Sequence, residues 1–418
     1  MGKQDSRGMS RREFAKASAA AGFAILGARG AAAQTNDNVL KAGLIGCGGR
    51  GTGAAINMLE GNENVALVAL ADVFEDKVAG TREQLEGRKD SLKGTVAIED
   101  SQCFVGFDAY QKLLGTDIDI MIEGTLPYSR PKHIAAAVEA KKHIFSEKPI
   151  ATDPVGIRTV MEAGAKHKEM GLSFVAGTQR RHQKPYIDTI QKIHDGAIGD
   201  VLAMRVYWCG GLPFARDRKE GWSDLEYCIR NWYSYCWTCA DNIVEQHVHN
   251  LDIANWVLGT HPAAVFASGG RAWKPNTEKY GDIYDHFSCD YTYDVNGRDV
   301  HVYSFSRHWN RCAGDVFEEA TGTGGVSNCR DMGEDALNPY VQEHIDLVNS
   351  ICGTGPYYHE AQQVAESTLT AIMGRMSAYT GKRLTWEDAL NSDLNIIPDV
   401  LDFSLPYPVG RVPCPVAV

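Results

Sequence analysis

The fold is decided by the stretch Gly46-Cys47-Gly48-Gly49-Arg50-Gly51, together with the apolar run before it and the helical pattern after it. The apolar run covers Val39–Ile45, and the helical pattern continues through Leu59. A strand, a glycine turn and a helix in this order are typical of a unit that binds a dinucleotide. Gly46 permits the tight turn, Gly48 lets a pyrophosphate approach the backbone, and Gly51 lets the helix start close to the strand. The free N–H groups at the start of the helix then face the phosphates.

A second apolar strand, predicted over residues 65–71, ends at Asp72. A carboxylate in this position reaches the ribose hydroxyls of NAD and repels the 2′-phosphate of NADP, so NAD is the predicted cofactor. A glycine loop without a ligand is the alternative, and the acid at this distance from the glycines disfavours it. The predicted cofactor contacts in this stretch are Gly46, Gly48, Gly49, Arg50, Gly51 and Asp72.

The beginning of the chain carries an export pattern. Arg11 and Arg12 form a twin arginine, and a weakly hydrophobic segment rich in alanine and glycine follows over residues 17–28. This pattern is typical of a Tat signal, and Ala31–Ala33 supplies the small residues needed for cleavage. We therefore expect residues 1–33 to be removed and the protein to be periplasmic or otherwise extracytoplasmic. Because Tat passengers cross the membrane folded, we expect NAD to be exported in a tightly bound form.

Composition excludes several classes of partner. The chain has 418 residues and a net charge of −11; residues 1–33 hold six basic and two acidic residues, so the remainder carries −15. Such an acidic surface argues against nucleic acid or anionic lipid as a partner. Beyond the signal, no apolar run is long enough to span a bilayer, so we expect no membrane insertion. The eleven cysteines show no disulfide framework, and Cys236-x-x-Cys239 lacks the context of a metal or redox site.

Alternating elements follow Asp72. Helices are predicted over 75–85, 107–114 and 131–140, and strands over 118–122, 143–146 and 173–177. This alternation predicts an α/β domain with a doubly wound parallel sheet, a Rossmann fold, over residues 38–182. Ligands of such sheets bind at the carboxyl ends of the strands, where Thr125-Leu126-Pro127 and Glu147-Lys148-Pro149 lie. Further predicted cofactor contacts are Thr125, Pro127, Glu147 and Lys148.

Lys148, in the second of these loops, is a candidate catalytic residue. An ammonium group near the nicotinamide can donate a hydrogen bond to a substrate oxygen and stabilise the charge that develops there. A surface lysine is the alternative, and the position of Lys148 at a strand end before a proline disfavours it.

The glycine turn, the Asp72 strand end and Glu147-Lys148-Pro149 together resemble the Gfo/Idh/MocA oxidoreductase family. The resemblance covers essentially all of the chain after the signal. It implies that Lys148 is the catalytic lysine and that the proline after it often follows a cis peptide bond.

The second half of the chain is richer in strands, which we predict over 201–207, 264–272, 286–293, 300–305 and 324–328. The family resemblance implies an α/β domain here, over residues 183–397, with a large open and mainly antiparallel sheet. One face of that sheet is then free for substrate or a partner subunit, so we expect a homo-oligomer. The five prolines of residues 398–418 predict an extended C-terminal arm.

The segment 242–252 holds the predicted catalytic centre of this domain. In a continuous helix Glu245, His249 and Asp252 share one face, and two carboxylates beside an imidazole raise its basicity, which suits a general base. The family pattern D-x-G-x-H-x-x-D lies across these residues, with His247 at its second fixed position. Glutamate replaces the aspartate and histidine replaces the glycine, so the substrate cannot be inferred from the pattern.

Other polar and aromatic residues are candidate substrate contacts. A metal site at Glu245, His247 and His249 is disfavoured because the helix separates the two histidines, so no metal is predicted. The aromatic segment 222–237 suits either a carbohydrate pocket or a buried core cluster, and both alternatives stay open. The predicted substrate contacts are Arg181, His182, Tyr233, His247 and Asp252.

These residues predict an NAD-dependent oxidoreductase that acts on a carbohydrate hydroxyl. In this interpretation His249 removes the hydroxyl proton, Lys148 stabilises the oxygen, and Glu245 assists them. The alternative is an NAD-dependent glycoside hydrolase of the same family, in which oxidation, elimination, hydration and reduction leave no net redox change. A protein that binds NAD and sugar without turnover is a third class, and the presence of Lys148 and His249 disfavours it.

Overall fold

The computed structural model describes residues 39–334 and 337–415. Residues 39–415 belong to one compact unit that contains two seven-stranded sheets. The predicted export signal, residues 1–33, lies outside the described residues.

The first sheet is the predicted Rossmann sheet. Its strand order is β3-β2-β1-β5-β6-β7, with β4 also paired to β2, and every pair is parallel. Because β1 lies between β2 and β5, the strand order reverses beside β1, which is where doubly wound sheets bind their ligands. The strands are β1 Leu40–Ile45, β2 Val65–Asp72, β3 Thr95–Val96, β4 Cys103–Val105, β5 Ile120–Glu123, β6 His143–Ser146 and β7 Phe174–Ala176.

Five helices accompany this sheet, and the predicted ones lie within two residues of their expected bounds. The helix between β6 and β7 was not among the predictions; Asp153 caps its start by accepting a hydrogen bond from the Gly156 N–H. The helices are α1 Gly49–Gly61, α2 Glu75–Glu86, α3 Ala109–Leu114, α4 Arg130–Glu139 and α5 Pro154–Glu169.

The second sheet is mixed and mainly antiparallel, as the resemblance implied. Its order is β13-β12-β8-β11-β10-β9-β14, and of the pairs along this path β8–β11 is parallel and the others are antiparallel. The strand β12 was missed because its acidic residues hide the alternating pattern. The strands are β8 Val201–Gly210, β9 Ala264–Gly270, β10 His286–Val295, β11 Arg298–His308, β12 Asp315–Gly322, β13 Val326–Ser327 and β14 Leu384–Thr385.

Helices cover one face of this second sheet. The long helix α12 is almost wholly buried and contacts both α5 beside the first sheet and β9 of the second, so it links the two halves. Thr385 caps α13 in a complete capping box with Asp388. The helices are α6 Lys184–His194, α7 Asp224–Arg230, α8 Cys236–Cys239, α9 Asn242–Glu245, α10 Val248–Leu258, α11 Pro339–Cys352, α12 Ala361–Thr380 and α13 Trp386–Leu390.

The chain after α13 crosses back over the same molecule. Residues 391–415 form neither helix nor strand. The Arg158 guanidinium donates to the carbonyl oxygens of Leu390 and Ser392 near the beginning of this segment, and the Tyr284 hydroxyl donates to the carbonyl oxygen of Pro413 near its end.

The cysteines are free thiols. Cys236 and Cys239 are both buried, and burial raises the pKa of the Cys236 thiol to about 12, so neither is suited to thiolate chemistry. Among the helices of the described residues, none is both long enough and apolar enough to cross a membrane.

Candidate cofactor-binding and active site

The glycine turn between β1 and α1 has the geometry that its sequence predicts. Gly46 has a φ of +94°, and a Cβ there would overlap the backbone nitrogen of Thr125. A Cβ on Gly51 would overlap the carbonyl oxygen of Gly46, whereas Gly48 and Gly49 face open space. Two glycines therefore build the turn, and the other two leave room for a ligand against the backbone.

A cavity of about 940 Å³ lies over this turn. Its size is at the upper end of the range of small-molecule and cofactor sites, about 300–1,000 Å³. The predicted contacts that line it are Gly46, Gly48, Gly49, Asp72 and Thr125. The cavity therefore runs from the start of α1 past the ends of β2 and β5, which is the path expected for a dinucleotide.

Asp72 is fixed at the edge of this cavity. Its carboxylate accepts hydrogen bonds from the N–H groups of Cys47, at 2.7 Å, and Phe74, at 2.9 Å. Burial raises the pKa of Asp72, while these two hydrogen bonds favour its charged form. The carboxylate therefore ties the glycine turn to the end of β2 and still faces the cavity.

Arg50 and Glu147 lie outside the cavity lining and pair with each other. The Nε atom of Arg50 is 2.7 Å from Oε1 of Glu147, and its guanidinium lies over the Tyr340 ring. This pair connects the first turn of α1 to the Glu-Lys-Pro loop after β6. Three further predicted contacts, Gly51, Pro127 and Lys148, also lie outside the lining.

Arg130, the first residue of α4, joins the two strand-end loops and was missed from the sequence. Its guanidinium is buried and donates to the carbonyl oxygens of Thr125 and Pro149. The Thr125 N–H also donates to Glu123 at 2.9 Å. The Lys148–Pro149 peptide bond is cis, as the resemblance implied. An arginine before a proline at a helix start gave no signal in the sequence that distinguishes it from a surface residue.

Lys148 is held by the second half of the chain. Its Nζ donates to the carbonyl oxygen of Glu245 at 2.6 Å and lies 3.4 Å from Oε1 of the same residue. That carbonyl is free because α9 ends at Glu245 and α10 begins only at Val248. Both side chains are about nine-tenths buried, and burial raises the pKa of Glu245 while the Lys148 charge opposes the rise.

His249 lies in the first turn of α10, and its ring stacks on Trp208 with centroids 5.9 Å apart. Its pKa is well below the usual 6.5 because it is buried and lies near the positive charges of Lys148 and Arg180. The expected rise in basicity is wrong, because burial lowers the pKa and the nearby cations lower it further. The imidazole is neutral near pH 7, the form that can accept a proton.

Asp252 lies three residues after His249 in α10, but its carboxylate pairs with other side chains. Its carboxylate accepts hydrogen bonds from Arg181 at 2.9 Å, from the Ser367 hydroxyl at 2.7 Å and from Gln363. Arg181 also lies over the Trp256 ring. The interruption between α9 and α10 separates Glu245 from the helix that carries His249 and Asp252, and Arg181 and Asp252 form an internal ion pair.

Three other predicted substrate contacts also lie in internal contacts. His182 lies 2.7 Å from Asp346 and near Glu360, and these charges raise its pKa to about 10 despite burial. His247 is fully buried, with its Nε2 atom 2.7 Å from the Ser304 hydroxyl. The Tyr233 hydroxyl is 3.4 Å from His308 Nε2. Because their polar atoms have protein partners, these residues are placed to support the site rather than to contact a substrate.

Part of the aromatic segment 222–237 lines the cofactor cavity, and part of it is a buried cluster. Trp222 and Trp232 line the cofactor cavity together with Arg216 and Arg230. Tyr227, Cys228 and Tyr235 form a small buried cluster beneath them. Trp208, which the sequence did not single out, is the residue that stacks on His249, and Arg180 pairs with Glu318.

Residues 40–174 match the profile of the oxidoreductase family with an NAD-binding Rossmann fold. This stretch of the chain is therefore similar to the Rossmann domain of the Gfo/Idh/MocA oxidoreductases. The match covers β1 to the beginning of β7, including the glycine turn, Asp72 and Lys148, so NAD is confirmed as the cofactor of this Rossmann fold.

Proteins similar to this chain include dehydrogenases and a hydratase. An inositol 2-dehydrogenase of Acidothermus cellulolyticus is 25% identical over 255 residues, 60% of this chain and 62% of that protein. A 2,7-anhydro-N-acetylneuraminate hydratase of Mediterraneibacter gnavus is 24% identical over 222 residues, 53% of this chain and 54% of that protein. The alignments thus span less than two thirds of these relatives.

The fold likeness extends beyond the Rossmann part. The scyllo-inositol dehydrogenase of Lactobacillus casei, solved with NAD(H) and scyllo-inositol, superposes with a TM-score of 0.63 at 18% identity. The superposition covers 84% of this chain and 99% of that one. Both sheets therefore belong to the family's architecture.

Proposed function

We propose that this protein is an NAD-dependent oxidoreductase that acts on a hydroxyl group of a small carbohydrate. The proposal depends on one observation: Lys148, from the loop after β6, donates to the carbonyl oxygen of Glu245 at 2.6 Å, immediately before the helix that carries His249. This contact joins the carboxyl end of the first sheet to the segment 242–252 of the second half of the chain. A cyclic polyol or sugar fits the substrates named for the relatives.

Three side chains have separate roles in the proposed reaction. The neutral imidazole of His249 accepts the proton of the substrate hydroxyl. The Lys148 ammonium donates a hydrogen bond to the same oxygen and stabilises its developing charge. Glu245 orients Lys148 through its main-chain oxygen and its carboxylate. Bound NAD supplies the acceptor for the hydride.

A redox-neutral glycoside hydrolase is the second candidate. In that reaction bound NAD would accept a hydride as a ring hydroxyl is oxidised to a ketone, and a base would remove the acidic proton on the neighbouring carbon. The aglycone would then leave, water would add, and the hydride would return to the ketone. The predicted export with a retained cofactor favours it, because no external NAD is consumed. The family also contains a named hydratase.

One experiment separates the candidates. Purified protein is assayed for bound nicotinamide and then given free cyclic polyols and sugars or aryl glycosides. Reduced nicotinamide that accumulates with free sugars, without aryl release, supports the oxidoreductase. Aryl release without net reduction supports the hydrolase. Binding of NAD and sugar without either reaction indicates a binding protein and contradicts both enzyme proposals.

The same matched pair of variants tests the site in either reaction. His249→Gln removes the proposed base, whereas His261→Gln changes a histidine that stacks on Trp386 away from the cavity. The proposal requires the first substitution to abolish turnover and the second to leave it unchanged.

We also propose that the protein is a homo-oligomer. The face of the second sheet away from the helices exposes Phe266, Tyr303 and Phe305. An exposed apolar patch of this kind marks an interaction surface, and a second copy of the chain is the simplest occupant. Light scattering of wild type and of Phe305→Lys gives the test: a mass equal to one chain in the wild type contradicts the proposal.

Export by the Tat route is a proposal from the sequence. Replacing Arg11 and Arg12 by lysine is expected to keep the full-length protein in the cytoplasm, whereas an Arg29→Lys control is expected to be exported. Fractionation and immunoblotting measure both, and equal export of all three proteins refutes a Tat signal.

A further inference from the structure

The segment after α13 forms one wall of the cofactor cavity. Ile397, Pro398, Asp399 and Leu401 line the same 940 Å³ cavity as the glycine turn and Asp72. We define residues 397–415 as the C-terminal arm. The arm therefore closes the cavity from outside the Rossmann sheet.

Phe403 fixes the arm at one end of the cavity. Its ring packs against Phe74, with centroids 5.9 Å apart, and against Phe107, with centroids 5.1 Å apart. Phe74 and Phe107 both line the cavity. Phe74 lies two residues beyond Asp72, so this end of the cavity is on the far side of the ribose contact from the glycine turn, where an adenine base lies in a Rossmann fold.

Side chains from the second half of the chain also contact the end of the cavity beside Phe74. The Arg230 guanidinium lies 3.9 Å from the centre of the Phe74 ring and pairs with Asp76 at 2.8 Å. The Tyr407 N–H donates to Asp224 at 3.1 Å. The arm is thus attached to the Rossmann part through Phe403 and to the second part through Tyr407, on both sides of the cavity.

We propose that the C-terminal arm forms the outer part of the adenine subsite and retains NAD as a permanently bound group. The inference extends the proposed function, since it takes NAD as the ligand. Leu401 lines the cavity and Phe403 holds the arm against Phe74 and Phe107, so release of the dinucleotide past this end requires the arm to move. Retention of this kind suits a protein that meets no free NAD after export.

The test is the rate at which bound NAD exchanges. Holoprotein is mixed with an excess of deuterium-labelled NAD, and the labelled fraction of bound nucleotide is followed by mass spectrometry. Phe403→Ala removes two aromatic contacts and is expected to accelerate exchange by about 10-fold. Deletion of residues 397–418 is expected to accelerate it by about 100-fold or more, since all arm contacts are lost.

Leu405→Ala is the matched control. Leu405 is an exposed apolar residue of the same arm that lines a separate cavity of about 450 Å³ on the other side. We expect its exchange rate to equal that of the wild type, and thermal unfolding checks that each variant is folded.

The outcomes separate the arm from the cofactor assignment. Wild-type exchange rates in folded Phe403→Ala refute the retention role, and so does equal acceleration in Leu405→Ala. A wild-type protein that neither contains nor binds NAD refutes the proposed function itself, a result visible before any variant is made.

Discussion

Arg130 offers a direct test of how the active-site loops are held. Its buried guanidinium donates to the carbonyl oxygens of Thr125 and Pro149, so Arg130→Met leaves two acceptors without their partner. An unpaired buried acceptor destabilises a protein by about 1–3 kcal/mol, which predicts a total loss of about 2–6 kcal/mol. Because domains are stable by only about 5–15 kcal/mol, this loss is large.

Urea denaturation measures the free energy of unfolding, and calorimetry measures the NAD dissociation constant of the same samples. We expect weaker NAD binding as well, because Thr125 lines the cofactor cavity. Arg130→Lys keeps the charge but cannot reach both oxygens, so its loss is expected to be about half as large. Glu139→Gln, at the exposed end of the same helix, is expected to stay within about 0.5 kcal/mol of wild type. A loss below about 1 kcal/mol in Arg130→Met, with unchanged NAD binding, would refute the reasoning.

Three further predictions concern other parts of the site. Lys148→Met and His249→Gln are each expected to lower kcat by about 100-fold or more while the holoprotein stays folded. Steady-state kinetics measures kcat, and circular dichroism checks the fold. A kcat within about threefold of the wild-type value contradicts the catalytic role of the substituted residue. Gly46→Ala is expected to abolish NAD binding and lower the melting temperature, since the turn has no room for a Cβ, whereas Gly80→Ala, in an open part of α2, is expected to change neither. The pKa of His182 is raised to about 10, so its protonated form stabilises the fold below about pH 6.5, and this contribution is lost as the pH rises to about 10. The variant His182→Gln is therefore expected to show a smaller decline in the free energy of unfolding between these pH values than the wild type. An unchanged decline contradicts the ion-pair role of His182.

The sequence predicted the Rossmann part closely because its signals are local. A glycine turn, an acid at a strand end and alternating apolar runs each constrain the backbone within a few residues. Gly46 and Gly51 illustrate this, since each is required by a single close approach of two backbone segments.

The catalytic region was harder to predict because its contacts are distant in sequence. Helical spacing placed Glu245, His249 and Asp252 on one face, yet the chain interrupts the helix after Glu245 and pairs Asp252 with Arg181. Of two consecutive arginines, Arg181 pairs with Asp252 and Arg180 with Glu318, and periodicity does not determine which takes which partner. Burial then reversed the expected pKa shift of His249.

Because Lys148 is held by a main-chain oxygen of Glu245, the orientation of its ammonium group and the charge beside that group are set by different atoms. Any amino acid at position 245 presents that carbonyl, so the direction of the ammonium group survives substitution there. The carboxylate of Glu245, at 3.4 Å, makes the weaker of the two contacts and sets the local charge. Replacement of glutamate by aspartate, or by a neutral residue, can therefore alter the electrostatics beside the reacting oxygen while the lysine keeps its place, and this chain's departure from the aspartate of the family pattern illustrates that freedom.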